Sequence, residues 1–240
     1  MTTKTVLITG CSSGFGKLAA RKFRDNGWNV VATMRSPDSE TELTGLDGVL
    51  VTRLDVADEK SIESAIDEAR SRFGAIHVVV NNAGYGGLML FEQATDAAIR
   101  AMYETNVFGV MAVTRAALPL MRKQREGRII NVTSMSAMMG VPGAAVYSSS
   151  KHAVHGLTEA MALEYKPLNI MVKSVLPGAY PTTRFNENTD VGAGGGDEQL
   201  SAYAQKLLSH FRVGAPTRLS SSPTSACRAA GPVTRPRARV

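Results

Sequence analysis

The sequence predicts a doubly wound α/β domain, a parallel sheet with helices on both faces. Three observations carry this. Six short runs rich in β-branched residues recur along the first 175 positions, interleaved with stretches of helical spacing. The runs do not alternate apolar with polar residues as half-solvated strands do, so the sheet is expected to be parallel and buried on both sides. The chain has 240 residues, 44% hydrophobic and 20% charged, enough to bury a full core as a single domain without internal repeat or linker.

The elements follow in order. Residues 5–9 (TVLIT) form a short apolar run that ends in a glycine-rich turn, as a buried strand does. Residues 15–26 carry helical spacing through Leu18, Ala19 and Phe23 and stop at Gly27, a natural C-terminal cap. The remaining strands are expected at 29–34, 49–54, 76–80, 128–133 and 170–175, with helices at 59–73, about 97–124 and 146–165. Residues 186–198 have no periodicity and a glycine cluster, which predicts a mobile loop, and 200–211 can form one amphipathic helix. Beyond Val213 the composition collapses onto Arg, Ala, Pro, Ser, Thr and Gly. The expected organisation is a folded domain over 1–212 and a basic, disordered tail over 213–240.

Charge and cysteine usage narrow the function classes. The formal charge is +6, but residues 213–240 hold Arg218, Arg228, Arg235, Arg237 and Arg239 with no lysine or acid. Taking those five from the 27 basic residues leaves 22, against 21 acidic residues. A nucleic-acid reader carries its basic patch on the folded domain, often with stacking aromatics, so nucleic acid is not an expected partner. No apolar run reaches membrane-spanning length, since the best, 107–121, is broken by Arg115. Residues 1–10 lack the h-region and cleavage site of a signal peptide. Cys11 and Cys227 frame no disulfide scaffold, and His152 and His155 suggest no third ligand, so no metal is expected. The expectation is a cytoplasmic protein without membrane contact.

The first motif with chemistry in it is Thr9-Gly10-Cys11-Ser12-Ser13-Gly14-Phe15-Gly16, between the first strand and the first helix. Glycines there let the backbone turn tightly and approach a pyrophosphate, whose charge is met by free amides and the helix dipole. The spacing is Gly-x-x-x-Gly-x-Gly, not the Gly-x-Gly-x-x-Gly of the common dinucleotide fingerprint. Asn81-Asn82-Ala83-Gly84 follows the fourth strand, Tyr147 and Lys151 stand four apart, and Ser134 lies 13 residues before Tyr147. Asn106 sits in the preceding helix and Pro177-Gly178 follows the sixth strand. With these motifs in this order the sequence resembles the short-chain dehydrogenase/reductase family over about residues 4–185.

The resemblance implies a Rossmann-type fold and a nicotinamide-dependent oxidoreductase. It implies Ser134, Tyr147, Lys151 and Asn106 as the catalytic set, with Asn106 holding a water on a proton path from Lys151. It places the cofactor against Gly10, Ser12, Ser13, Gly14, Phe15 and Gly16, then Asp55 and Val56 at the adenine, and Asn82, Ala83 and Gly84. Tyr147, Lys151, Pro177, Gly178 and Thr182 complete the cofactor contacts. Members usually assemble as homodimers or homotetramers and finish with a seventh strand and a helix, which nothing after Val213 resembles.

The Tyr147–Lys151 pair also follows from geometry. Residues four apart on a helix share a face. A tyrosine hydroxyl near its ordinary pKa of about 10 is a poor proton-transfer partner at neutral pH. An ammonium about 4 Å away contributes roughly 4 kcal/mol at an effective dielectric of 20, enough to bring the hydroxyl towards 7. Ser134, just past a strand, can donate to a substrate carbonyl, and Ser136 is its nearest competitor. Cys11 in the phosphate loop is read as packing, although a lowered thiol pKa is conceivable there.

The second strand ends at Met34-Arg35, where an NAD site usually carries an acid for the ribose hydroxyls. Arg35 accommodates a 2′-phosphate instead, with Ser12 near enough to help, so NADP is expected over NAD. Asp55 read without the family is an N-terminal cap of the next helix. Met135, Met138 and Met139 beside Ser134 can line an adaptable apolar pocket. The substrate is expected to be a medium-sized, apolar carbonyl compound or secondary alcohol. Residues 31–36 and 81–87 look like those of steroid- and retinoid-active members. Two other readings stand beside this one: a dinucleotide-binding regulator without turnover, and a truncated, inactive enzyme.

Overall fold

Val6, Leu7 and Ile8 are fully buried, and the pleat sends Leu7 to one side of the sheet and its two neighbours to the other. They form the middle of β1 (Thr5–Thr9), from which the sheet grows in both directions. β2 (Asn29–Met34) pairs with it in parallel, Thr5 opposite Asn29 and Thr9 opposite Thr33, and β3 (Val49–Arg53) pairs with β2. On the other side stand β4 (Val78–Asn81), β5 (Gly127–Val132) and β6 (Ile170–Val175). The order β3-β2-β1-β4-β5-β6 is the predicted doubly wound sheet, and its winding reverses between β1 and β4. This computed structural model describes residues 3–178 together with Gln199, Leu200, Ala202, Tyr203 and Lys206.

The two faces are covered by different helices. On the Leu7 side, Val31, Val79, Ile129 and Val172 meet α2 (Glu59–Phe73), α4 (Gly109–Gln124) and α5 (Ala145–Glu164) through Ile62, Val113, Met121 and Met161. On the Val6 side, Ile8, Val30, Ala32 and Val80 pack on α1 (Gly14–Asp25) through Ala20 and Phe23. Leu43 and Leu46, in the β2–β3 connection, complete that cluster. Each fully buried aliphatic side chain contributes about 1.5–3 kcal/mol.

Two expectations need correction. Burial on both faces holds for β1, β2 and β4 but not for β6, where Ile170 and Val172 are buried while Met171 and Val175 are 44% and 47% exposed. α5 covers one side of that strand, and its residues alternate accordingly. Nor is the stretch 97–124 one helix. α3 (Asp96–Tyr103), capped by Thr95, gives way to a π-helical turn over Glu104–Phe108 before α4 begins. A π turn widens one hydrogen-bonded ring without interrupting the helical path, so apolar periodicity runs through it unnoticed. Other element ends differ from expectation by one or two residues, as helix and strand ends commonly do. Of the expected 200–211 helix, Leu200, Ala202, Tyr203 and Lys206 are described and helical. The 186–198 loop, the 213–240 tail and Thr182 lie outside the described residues. Among those described, no helix is long and apolar enough to cross a membrane.

His77, just ahead of β4, ties that strand to the start of β1. Its backbone N–H donates to the Thr5 carbonyl at 2.9 Å, and its Nδ1 accepts from the Thr5 N–H at 3.0 Å. Burial pushes its pKa down, and nearby Lys4 pushes the same way against Glu126. A histidine with a folded pKa below its unfolded value of about 6.5 leaves stability intact above that pH and removes it as the pH falls further. Thermal melts from pH 7.5 to 5 should therefore show a loss of stability that is smaller in His77→Asn, whose side-chain oxygen accepts the same bond without titrating. Identical pH profiles for the two proteins would sink this role.

Candidate active site

Where the winding reverses, the carboxyl ends of β1 and β4 diverge and leave a crevice. The β1–α1 connection lines it. Gly10 and Gly14 have φ of 72° and 56°, the left-handed region that favours glycine. A Cβ on Gly10 would lie 2.9 Å from the Ala83 Cα, and one on Gly16 would lie 2.2 Å from the Gly10 carbonyl oxygen. These two glycines therefore let loop, helix and β4 approach one another. Asn82 stitches the same seam, its Nδ2 donating to the carbonyls of Thr9 at 2.9 Å and Gly10 at 3.1 Å. Thr9 Oγ1 accepts from the N–H groups of Asn82 and Ala83, both at 3.0 Å, a role the sequence reading missed.

The loop suits a phosphate-bearing group. The first turn of α1 has no acidic side chain, and Ser13 at its N-cap makes no side-chain capping bond. Its dipole is thus unopposed where Ser12 and Phe15 are exposed and Ser13 and Gly14 half-buried. Cys11 behaves as packing: it is fully buried, its Sγ donates to the Ile8 carbonyl, and burial pushes the thiol up to about 12.

The second group gathers at the start of α5. Ser134 stands just past β5, where its Oγ accepts from the Ser136 N–H at 3.1 Å. Tyr147 lies within hydrogen-bonding reach of the Ser134 hydroxyl. Lys151 is 6% exposed, its ammonium 5.8 Å from the centre of the Tyr147 ring and donating to the Val132 carbonyl at 3.1 Å. Asn106 lies in the π turn and is fully buried. Its Oδ1 accepts from the Tyr85 N–H at 3.1 Å, while its Nδ2 donates to the Tyr85 carbonyl at 2.9 Å and to Ser150 Oγ at 3.2 Å. Ser150, which the sequence reading passed over, donates in turn to the Tyr147 carbonyl at 2.7 Å. Gly84 makes room for all of this: a Cβ there would lie 2.9 Å from Asn106 Oδ1 and 3.4 Å from the Lys151 ammonium.

The electrostatics differ from expectation. Burial pushes the Tyr147 hydroxyl up, partly offset by the Ser134 hydrogen bond. The Lys151 ammonium lies over the tyrosine ring and is held by a strand-end carbonyl. Burial in turn pushes Lys151 itself down to about 8.

At the far end of the crevice Met34 is buried and Arg35 is exposed, with no ion pair among the described residues. Asp55 is not the cap of α2. Asp58 takes that position and accepts from the Ser61 N–H, while Asp55 accepts from the Ala57 N–H within its own turn. The Val56 side chain belongs to the core and limits Gly109, whose Cβ would lie 2.6 Å from it. The Pro177 carbonyl accepts from the Met135 N–H at 3.0 Å, joining the segments after β6 and β5, and Gly178 is exposed. Met135, Met138 and Met139 are 47%, 59% and 59% exposed beside Ser134. His152 and His155 bond Ser148 and Ser174, and among the described residues no cluster could hold a metal.

The family model described as short chain dehydrogenase matches residues 4–191. The chain belongs to the short-chain dehydrogenase family. It is 38% identical over 213 residues to 3-ketodihydrosphingosine reductase of Bacteroides thetaiotaomicron, covering 89% of this chain and 76% of that one. The structure of ElxO with NADP bound superposes with a TM-score of 0.70 at 33% identity, over 74% of each chain. The structure of 3-ketoacyl-(acyl-carrier-protein) reductase from Brucella melitensis, complexed with NADH, gives 0.75 at 31% identity over 78% of this chain and 80% of that one. This short-chain dehydrogenase is therefore an oxidoreductase whose fold neighbours bind nicotinamide dinucleotides.

The buried lysine of this dehydrogenase has a measurable signature. With a folded pKa of about 8 against 10.5 unfolded, the unfolded chain binds more protons between those values, so stability rises with pH across that window. In the cofactor-free protein, the denaturant midpoint of the wild type should climb relative to Lys151→Met from pH 8 to 10.5. Parallel curves would show that the ammonium is not desolvated as described.

Proposed function

We propose that this dehydrogenase transfers a hydride between NADP(H) and the carbonyl or secondary-alcohol carbon of a medium-sized, apolar substrate, with Tyr147 as general acid/base. One observation carries the reading. Ser134, Tyr147, Lys151 and Asn106 gather beside the glycine loop around one buried ammonium that no carboxylate among the described residues neutralises.

The bound nicotinamide dinucleotide supplies or accepts the hydride; the rest falls to the protein. Ser134 orients the substrate oxygen by hydrogen bonding, which aims the reacting carbon. Tyr147 gives or takes the proton on that oxygen. The Lys151 charge steadies the tyrosine oxygen as its proton leaves, and Asn106 with Ser150 holds the start of α5 in place. The three exposed methionines offer an adaptable apolar wall, in keeping with a relative named 3-ketodihydrosphingosine reductase. Arg35, exposed at the end of β2 with no acid in the ribose position, favours NADP over NAD. Cytoplasmic location and homodimeric or homotetrameric assembly belong to the same reading.

Tyr147→Phe should lower turnover by roughly 10²- to 10⁴-fold while the dissociation constant for NADPH stays nearly unchanged. Wild-type turnover in that variant would assign the proton transfer elsewhere. Arg35→Ala should weaken NADPH binding by roughly 10- to 150-fold and leave NADH binding almost untouched. Fluorescence titration with both cofactors reads this directly, and equal losses would overturn the NADP assignment.

A further inference from the structure

Outside the crevice, the described residues contain one acid that is almost wholly buried, Glu40. It stands in the β2–β3 connection, five residues after Arg35, and its side chain is 3% exposed. Both carboxylate oxygens are used. Oε1 accepts from the N–H groups of Glu42 at 2.8 Å and Leu43 at 3.0 Å, and Oε2 meets the Lys17 ammonium at 2.8 Å. Lys17 belongs to the first turns of α1, the helix that opens on the glycine loop. Glu42 adds a second contact to Lys17 at 3.1 Å and pairs with Arg21 one turn further along α1.

The connection itself is wound tightly around this point. A 3-10 turn over Pro37–Ser39 separates Arg35 from Glu40, and the Glu40 N–H donates to the Pro37 carbonyl at 2.9 Å. Ser39 Oγ donates to the Ser36 carbonyl at 3.0 Å, and Thr44 Oγ1 to the Glu40 carbonyl at 2.6 Å. Beyond it, Leu43 is fully buried in the core beneath α1. Arg35 is therefore held between the fixed end of β2 and a turn clamped to α1.

We propose that Glu40 is a positioning residue for cofactor discrimination: with Lys17 it fixes the connection bearing Arg35 relative to the glycine loop on α1. This rests on the reading of Arg35 as the partner of a 2′-phosphate. The pair sets the span between the loop that meets the pyrophosphate and the cation that meets the ribose end. A charged contact depends on that span, because preorganised groups lose less on binding than mobile ones. Lys17 and Arg21 are at the same time occupied by acids, so among these cations of the described residues Arg35 is left to distinguish the cofactors. Burial pushes the Glu40 carboxyl up, but Lys17 and the two amides outweigh it and hold it below the usual range, so the tie is ionic at neutral pH.

The test is the ratio of NADH to NADPH dissociation constants, measured by titration of the intact protein. Glu40→Gln and Lys17→Met break the tie from opposite ends, the second without touching the amides that Glu40 caps. Each should lower the ratio by roughly 3- to 10-fold, as expected for groups coupled through contact, chiefly through weaker NADPH binding. Lys17→Arg should restore most of it. In an Arg35→Ala background, Lys17→Met should change the ratio no further. Equal losses for both cofactors would make the pair a fold contact only. Tighter NADPH binding in Glu40→Gln would mean that Lys17, once released, takes the phosphate, and the proposal would fall. If Arg35→Ala alone leaves the ratio unchanged, the Arg35 reading itself is wrong. If Arg35→Ala lowers it and the Lys17 and Glu40 variants do not, only the positioning role fails.

Discussion

The ammonium of Lys151, buried under the start of α5 and bonded to the strand-end carbonyl of Val132, is the contact on which the surrounding architecture turns. A buried cation with no carboxylate beside it among the described residues is costly, as its fall to about 8 records. The neighbourhood is shaped to tolerate it. Gly84 gives up a side chain so that the ammonium and Asn106 can share one small space. The π turn puts Asn106 there, and Ser150 carries its hold on to the Tyr147 turn of α5. A second buried network props the same elements from below. Asn81 donates to Thr114 and Asn131, and Asn131 to Thr158, joining β4, β5, α4 and α5 through side chains nearly shut off from water. Such networks fix relative position more than they add stability.

Much of the fold was legible because local signals agreed with the global pattern. The strand runs around β1 are short, β-branched and bounded by turns, and Gly27 and Gly74 sit where their helices stop, with φ of 78° each. The grouping of Ser134, Tyr147 and Lys151 was legible through the spacing of the family it resembles, since Ser134 follows β5 and the other two stand one turn apart at the start of α5. What escaped were features whose cause is tertiary. The π turn leaves no trace in apolar periodicity. Thr9 looked like a strand end, yet its hydroxyl receives two amides from across the sheet. Asp55 and Asp58 look equivalent before a helix, and only geometry shows that Asp58 is the cap. The upward push on the Tyr147 hydroxyl escaped because it comes from burial, which helical spacing does not report.

The molecule treats its two partly or wholly buried lysines in opposite ways, and the contrast matches what each neighbourhood must do. Lys17 is raised by its hydrogen bond to Glu40, with Glu42 close by, and its charge is spent inside the protein. Among the described residues Lys151 meets a neutral carbonyl and an aromatic face, and no acid. A fully paired cation fixes a distance; an incompletely paired one stores a capacity to stabilise negative charge that forms later, without reorganising its surroundings. The first kind belongs where a loop must stay in register with a helix. The second suits the proton transfer proposed for Tyr147, and its cost in stability is the counterpart of that readiness.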